Sequence, residues 1–212
     1  MAGDSIEQQV DKLLTRVDDA RSTGLLERRE IVEAVVADLR RLCRGTADTL
    51  VQYAIGYGLY AHPCRLDEQA IRQGVEESLL KVVAIMPDDG LAWLYLGHNA
   101  YDFKDWSLAL NRFERVGPHL PRHLLLRAQE MRVCCNIRLT GLAASLIQLK
   151  FFVTECELSA KEDIWPVELA SCLSESVGQL GQPLLARAQE LCARLDAAGH
   201  LGTWLTEIIA LS

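Results

Sequence analysis

Apolar residues recur at helical spacing along almost the whole chain, and hardly any stretch alternates apolar and polar positions as a strand does. Glycine or proline interrupts the pattern between segments, while Ser5 and Asp88 stand where side chains cap helices. Short loops between helices of this length favour antiparallel neighbours. The pattern therefore predicts an all-α protein of about 10–11 helices, at residues 5–23, 26–43, 50–61, 67–85, 89–100, 106–116, 121–139, 142–153, 165–177, 184–197 and 201–211.

One stretch, residues 88–121, carries a more specific order of bulky and small residues. It contains Trp93, Leu96, Gly97, Tyr101, Ala109, Phe113 and Pro121. This order resembles the tetratricopeptide repeat, a helix–turn–helix unit of about 34 residues. It departs from the family pattern at Ala100, where the family has an aromatic residue and this chain has its tyrosine one position later. The resemblance implies that the large and small members of this set pack two helices together.

Weaker echoes of the same unit flank this stretch. Val75, Leu79, Val82 and Pro87 precede Ala109, Phe113, Val116 and Pro121 in phase. A separate internal echo relates HLLLRAQEM, residues 123–131, to PLLARAQEL, residues 183–191, and predicts equivalent roles for the two helices. The resemblance implies antiparallel helical hairpins stacked as a right-handed α-solenoid. We expect a hairpin at 1–45, repeats at 46–155 and capping helices at 156–212, all in one continuous domain.

Composition narrows the classes of partner. Half of the 212 residues are hydrophobic and 24 % are charged, as in a folded globular protein. The net charge of −7 argues against binding to nucleic acid, because neutralising phosphates requires a basic surface. The longest uncharged run, 49–64, is shorter than the roughly 20 residues that span a bilayer. These features predict a soluble, cytoplasmic protein that binds neither nucleic acid nor membrane.

The seven cysteines are scattered along the helical pattern. Their number is odd and they contain no Cys-x-x-Cys pair, so we expect buried thiols rather than disulfides. The adjacent pair Cys134 and Cys135 points in directions about 100° apart on a helix, which is poor geometry for one metal ion. We therefore expect no metal and no cofactor.

Two sets of residues are candidates for binding a partner through the concave face that the resemblance implies. The first lies on the predicted helix at 89–100 and the turn that follows it, opposite the packing residues of the helix, and comprises Leu94, His98, Tyr101 and Asp102. The second comprises Tyr53, Tyr57 and Tyr60, whose i, i+4, i+7 spacing puts them on one side of their helix. Tyrosine is favoured in interfaces because it offers rigid area and a hydroxyl. Burial of the three tyrosines against the N-terminal helices is the alternative.

A cluster of basic residues in this acidic chain is a further candidate surface. Six arginines lie between positions 112 and 138, and Arg127 and Arg132 are the members expected to contact a partner. Bidentate pairing with an acidic segment is one role for them. The alternative is pairing within the chain, with the acidic residues Glu155, Glu157, Glu162, Asp163 and Glu168.

The sequence favours a non-catalytic protein-interaction module, an adaptor or scaffold that binds a partner protein or peptide. An inhibitor, an immunity protein or a chaperone for a toxin or effector is an alternative, because the chain is small and acidic. A helical enzyme using His98 and nearby acids is a further alternative. No nucleophile motif or glycine-rich phosphate loop accompanies His98, so we assign no catalytic residue. Assembly of the chain as a homo-oligomer stays open.

Overall fold

A computed structural model describes residues 4–43, 48–159, 166–177 and 182–197. Within these ranges the chain forms ten α-helices and no strand, which confirms the all-α class. The predicted helix at 201–211 lies outside the described residues. The chain divides into two compact units, Met1–Lys104 and Asp105–Ser212.

The first unit contains five of the helices. They are α1 (Ile6–Asp19), followed by a 3₁₀ turn (Ala20–Ser22), α2 (Leu25–Leu42), α3 (Thr49–Tyr60), α4 (Gln69–Ile85) and α5 (Gly90–Asp102). Ser5 caps α1 as predicted, because its hydroxyl accepts from the backbone N–H of Gln8 while its own backbone N–H donates to the side chain of Gln8, which completes a capping box. The prediction that Asp88 caps α5 is wrong by one residue, because Asp89 holds the backbone N–H of Ala92 at 2.9 Å.

Helix α3 is the centre of the first unit and packs against α1, α2, α4 and α5. It is buried on nearly every side, as its almost continuous apolar sequence predicts. Gly56 allows α4 to approach closely, since a Cβ at this position would lie 2.6 Å from Cγ of Leu79. The missing side chain is therefore what lets Leu79 fill the space between the two helices.

The second unit contains the remaining described helices. They are α6 (Trp106–Glu114), α7 (Arg122–Thr140), α8 (Leu142–Glu157), α9 (Val167–Val177) and α10 (Gln182–Ala197). Helix α7 packs against α6, α8 and α9, and α8 also packs against α10. Gly141 joins α7 to α8 in a single residue with φ of 84°, a conformation that glycine adopts without strain. The core includes Leu126, Met131, Leu149, Phe152 and Leu169.

The division between the units falls inside the repeat-like stretch. Lys104, at φ of 63°, ends the first unit, so that α5 belongs to the first unit and α6 to the second. Trp93, Gly97, Ala109 and Phe113 are all buried, as expected of packing residues. The solenoid arrangement, the boundaries near residues 45 and 155 and the single continuous domain stay predictions.

Candidate binding face

Four tyrosines from α3 and α5 form a cluster in the first unit, which we call the tyrosine face: Tyr53, Tyr57, Tyr60 and Tyr95. The ring of Tyr95 lies at its centre, with its centroid 6.3 Å from Tyr53, 5.3 Å from Tyr57 and 5.1 Å from Tyr60. Tyr53 and Tyr57 stack with their centroids 6.4 Å apart. Edge and offset contacts of this kind stabilise aromatic groups beyond the area that they bury.

Helical spacing on two neighbouring helices brings these rings together. The predicted stripe of Tyr53, Tyr57 and Tyr60 faces α5, where Tyr95 and His98 lie one turn apart. The ring of His98 is 6.4 Å from that of Tyr60. Sequence reasoning missed Tyr95, although its i, i+3 spacing to His98 was a usable signal.

The hydroxyls of the face differ in their partners. Tyr57 donates a hydrogen bond to Asp18 and accepts one from Arg21 at 2.5 Å, so the end of α1 and the 3₁₀ turn hold it in place. Tyr57 is buried, which matches the alternative that it packs against the N-terminal helices. Within the described residues, the hydroxyls of Tyr53 and Tyr95 make no hydrogen bond, and both side chains are partly exposed.

Burial favours the neutral form of three of these phenols, Tyr53, Tyr57 and Tyr95. The pKa of Tyr53 is raised mainly by burial, and the neighbouring Tyr95 and Asp89 raise it further. Burial also raises the pKa of Tyr57 and Tyr95. These three hydroxyls therefore keep their protons, and can donate hydrogen bonds, at neutral pH and above it.

A groove continues the tyrosine face toward the starts of α3 and α5. It has a volume of about 340 Å³ and is lined by Tyr53 together with Leu50, Met86, Leu91, Thr49 and Asp89. Leu50 and Met86 are exposed apolar side chains. The groove therefore offers apolar contact next to the unengaged hydroxyl of Tyr53.

The remaining predicted residues of α5 have other surroundings. Leu94 and Tyr101 are buried, so the expectation that they lie on an open face is wrong. The reason is that most of α5 is enclosed, including residues on both sides of the helix. His98 is partly exposed and borders the tyrosine face. Asp102 is held by Arg65, whose Nη2 donates to it at 2.6 Å.

Arg65 is a residue that the sequence pattern does not single out. It lies in the turn between α3 and α4, and its guanidinium stacks over the ring of Tyr60 at 4.2 Å. Its other bonds go to the carbonyl oxygen of Tyr60 and to Oδ1 of Asn99. This network ties the end of α3 to α5 and fixes Tyr60 in the face. The carboxylate of Asp102, on which the enzyme alternative relied, is engaged in it.

The arginine-rich stretch of the second unit is largely paired within the chain. Arg122 bonds Glu155 at 2.6 Å and Arg138 bonds Glu175. Arg127 bonds the buried Glu130 at 2.7 Å. Glu162 and Asp163, two of the expected acidic partners, lie outside the described residues.

Glu130 also accepts the backbone N–H of Leu169 at 3.0 Å. Burial raises the pKa of the Glu130 carboxyl, and the opposing influence of Arg127 does not offset it. Burial lowers the pKa of Arg127, but the charge and hydrogen bond of Glu130 outweigh burial and raise it overall. The contact by itself therefore favours the charged form of both side chains. Burial opposes the charge of Glu130 more strongly than that of Arg127, because the side chain of Glu130 is only 1 % exposed.

Arg132 differs from its neighbours. It is exposed and forms no ion pair within the described residues. It lies beside a second groove, between α7 and α8, with a volume of about 300 Å³. Of the two arginines predicted to contact a partner, Arg132 is thus the one with an unengaged charge.

The described residues hold no cluster of side chains suited to a metal ion. No disulfide joins the described cysteines, and burial raises the pKa of Cys135 and of Cys156 to about 12, which keeps both as thiols. In the part of the chain that the structure describes, no helix is both long and apolar enough to cross a bilayer. Comparisons of the chain with protein-family models, curated proteins and solved structures give no match.

Proposed function

We propose that this protein is a non-catalytic interaction module of tetratricopeptide-like helical hairpins that binds a segment of a partner protein along the tyrosine face. The proposal depends on one observation. Four tyrosines from neighbouring helices gather on a partly exposed surface, and two of their hydroxyls, on Tyr53 and Tyr95, have no partner within the described residues. Rigid aromatic area with an available donor is typical of interface anchors.

Helix packing within each unit supports the hairpin architecture. In a stack of hairpins, each helix packs on its own partner and on the matching helix of the next hairpin. In the first unit α1 packs on α2 and α3, and α3 packs on α4 and α5. In the second unit α7 packs on α8 and α9, and α8 packs on α10. A reducing compartment such as the cytoplasm suits a protein that keeps its cysteines as thiols.

Site-specific photo-crosslinking tests the proposal. A benzophenone amino acid replaces Tyr95 in one variant and Leu80, an exposed apolar residue of α4, in the matched control. We expect irradiation in an extract of the native cells to link one protein to position 95 and not to position 80. The purified partner is then titrated against the wild type and against Tyr95→Ala, for which we expect a rise in Kd of about tenfold or more.

Conservative variants separate the contributions of ring and hydroxyl. Tyr53→Phe and Tyr95→Phe keep the rings and remove the two unengaged hydroxyls, so an intermediate loss of affinity assigns part of the binding to them. Circular dichroism confirms that each variant remains helical. The tyrosine face is not the binding site if position 95 gives no crosslink, if both positions label the same proteins, or if Tyr95→Ala leaves the Kd unchanged.

A further inference from the structure

The groove between α7 and α8 combines exposed apolar side chains with an unpaired charge. Ile147 and Phe151 line it from α8 and are 83 % and 60 % exposed. They lie one helical turn apart, and the buried Phe152 forms part of the floor. Adjacent exposed apolar residues at the edge of a groove mark an interaction surface more strongly than scattered ones.

The polar residues of this groove indicate what it would accept. Arg132 lines it from α7, and no carboxylate is among its lining residues. Lys150, one residue before Phe151, does not line the groove, but it is exposed and forms no ion pair in the described part of the chain. A guanidinium without a partner matches a carboxylate in bidentate geometry.

One residue of the groove, Gln129, also carries a buried acceptor. The side-chain oxygen Oε1 of Gln129, another lining residue, is buried and has no hydrogen-bond partner among the described residues. Buried polar atoms are nearly always satisfied in folded proteins. Because this atom has almost no surface accessible to solvent, the exposed apolar side chains and Arg132, rather than Gln129, are the groups available to an occupant of the groove.

We propose that the α7–α8 groove binds an acidic amphipathic helix of a partner protein, independently of the tyrosine face. Apolar residues of that helix at i and i+4 match the spacing of Ile147 and Phe151, since both helices advance about 6 Å in four residues. A carboxylate beside them pairs with Arg132. The binding mode is that of an amphipathic helix laid into a groove, read through its apolar anchors.

Fluorescence anisotropy with two labelled synthetic helices tests the charge preference. Both peptides carry leucine at i, i+4 and i+7, and they differ only in having glutamate or lysine at the flanking positions. We expect saturable binding of the glutamate peptide and about tenfold or more weaker binding of the lysine peptide. Arg132→Glu should reverse this order. Equal affinity for the two peptides, or no saturable binding of either, overturns the proposal.

Matched variants on α8 test the location. Ile147→Ala should raise the Kd of the glutamate peptide about tenfold, whereas Leu158→Ala should not change it. Leu158 is 78 % exposed and directly follows the last residue of α8, but it does not line the groove. Equal effects of the two variants would place the binding elsewhere.

Two further measurements distinguish peptide binding in this groove from binding at the tyrosine face and from self-association. Tyr95→Ala should leave the affinity for the glutamate peptide unchanged, because the tyrosine face belongs to a different unit, so failure of one proposal is distinguishable from failure of the other. Sedimentation equilibrium of the wild type and of Ile147→Glu tests self-association. A dimer that Ile147→Glu dissociates would show that the groove binds a second copy of this chain, and would overturn the assignment to a partner helix.

Discussion

Replacement of Glu130 by alanine removes two bonds at once from the centre of the second unit. Its carboxylate pairs with Arg127 at 2.7 Å and accepts the N–H of Leu169, in the first turn of α9, at 3.0 Å. The loss of a partner from a buried ion pair costs about 3–5 kcal/mol. Because the side chain of Arg127 is 33 % exposed and water can solvate part of its charge, we expect the lower end of that range.

Urea denaturation of the wild type and of Glu130→Ala measures this loss, and amide hydrogen exchange locates it. Protection of the Leu169 amide should fall together with the global change, since that amide loses its acceptor. Glu155→Ala is the matched control, because its pair with Arg122 lies at the surface and should contribute less than about 1 kcal/mol. If Glu130→Ala costs no more than Glu155→Ala, or if Leu169 stays protected, the assigned role of Glu130 is wrong.

Glu130→Gln separates the charge from the hydrogen bonds. Burial raises the folded pKa of Glu130 above its ordinary value of 4.5. A raised carboxyl pKa contributes stability that is present below the unfolded pKa and is lost as pH rises through the folded pKa. The free energy of unfolding of the wild type, relative to Glu130→Gln, should therefore fall as pH rises above 4.5 and then level off. A difference that grows with pH would contradict the direction of this shift.

Three other expectations concern the first unit. Gly56→Ala should lower the free energy of unfolding by about 1–2 kcal/mol in urea denaturation, since overpacking against Leu79 outweighs the gain in helix propensity. Gly74→Ala is the control and should be nearly neutral, because the new Cβ meets only a terminal methyl group of Leu59 at close range. Arg65→Lys should lower the free energy of unfolding by about 2 kcal/mol in the same measurement. An ammonium group cannot both stack on the ring of Tyr60 and bond Asp102 as the planar guanidinium does. The raised pKa of Tyr53 gives a contribution to stability that is fully present below pH 10.0 and declines as pH rises above it. Tyr53→Phe lacks this titration, so it should shift the loss of far-ultraviolet circular dichroism to higher pH.

Features set by one helix were accessible from the sequence, whereas contacts between distant segments were not. The 3.6-residue period predicts that Tyr53, Tyr57 and Tyr60 share a side, and the structure confirms this by placing all three rings against Tyr95. The bond from Arg65 to Asp102 spans 37 residues and depends on how α5 packs. Periodicity identifies the exposed side of a helix only when the rest of the protein covers one side of it and leaves the other open. Because α5 is enclosed on both sides, the prediction placed Leu94 and Tyr101 wrongly on an open face.

The internal echo of HLLLRAQEM and PLLARAQEL shows where local sequence stops determining energetics. Both copies form the same i, i+3 ion pair, Arg127 with Glu130 and Arg187 with Glu190. Glu190 is 54 % exposed, and such a pair contributes less than about 1 kcal/mol. Glu130 follows the same Arg-Ala-Gln sequence as Glu190, but α9 packs on α7 and brings the N–H of Leu169 to the carboxylate of Glu130. The shared sequence therefore gives the same ion pair in both helices. The packing of α9 on α7 is what buries the pair of Arg127 and Glu130, so that it contributes to the stability of the core and the pair of Arg187 and Glu190 contributes little.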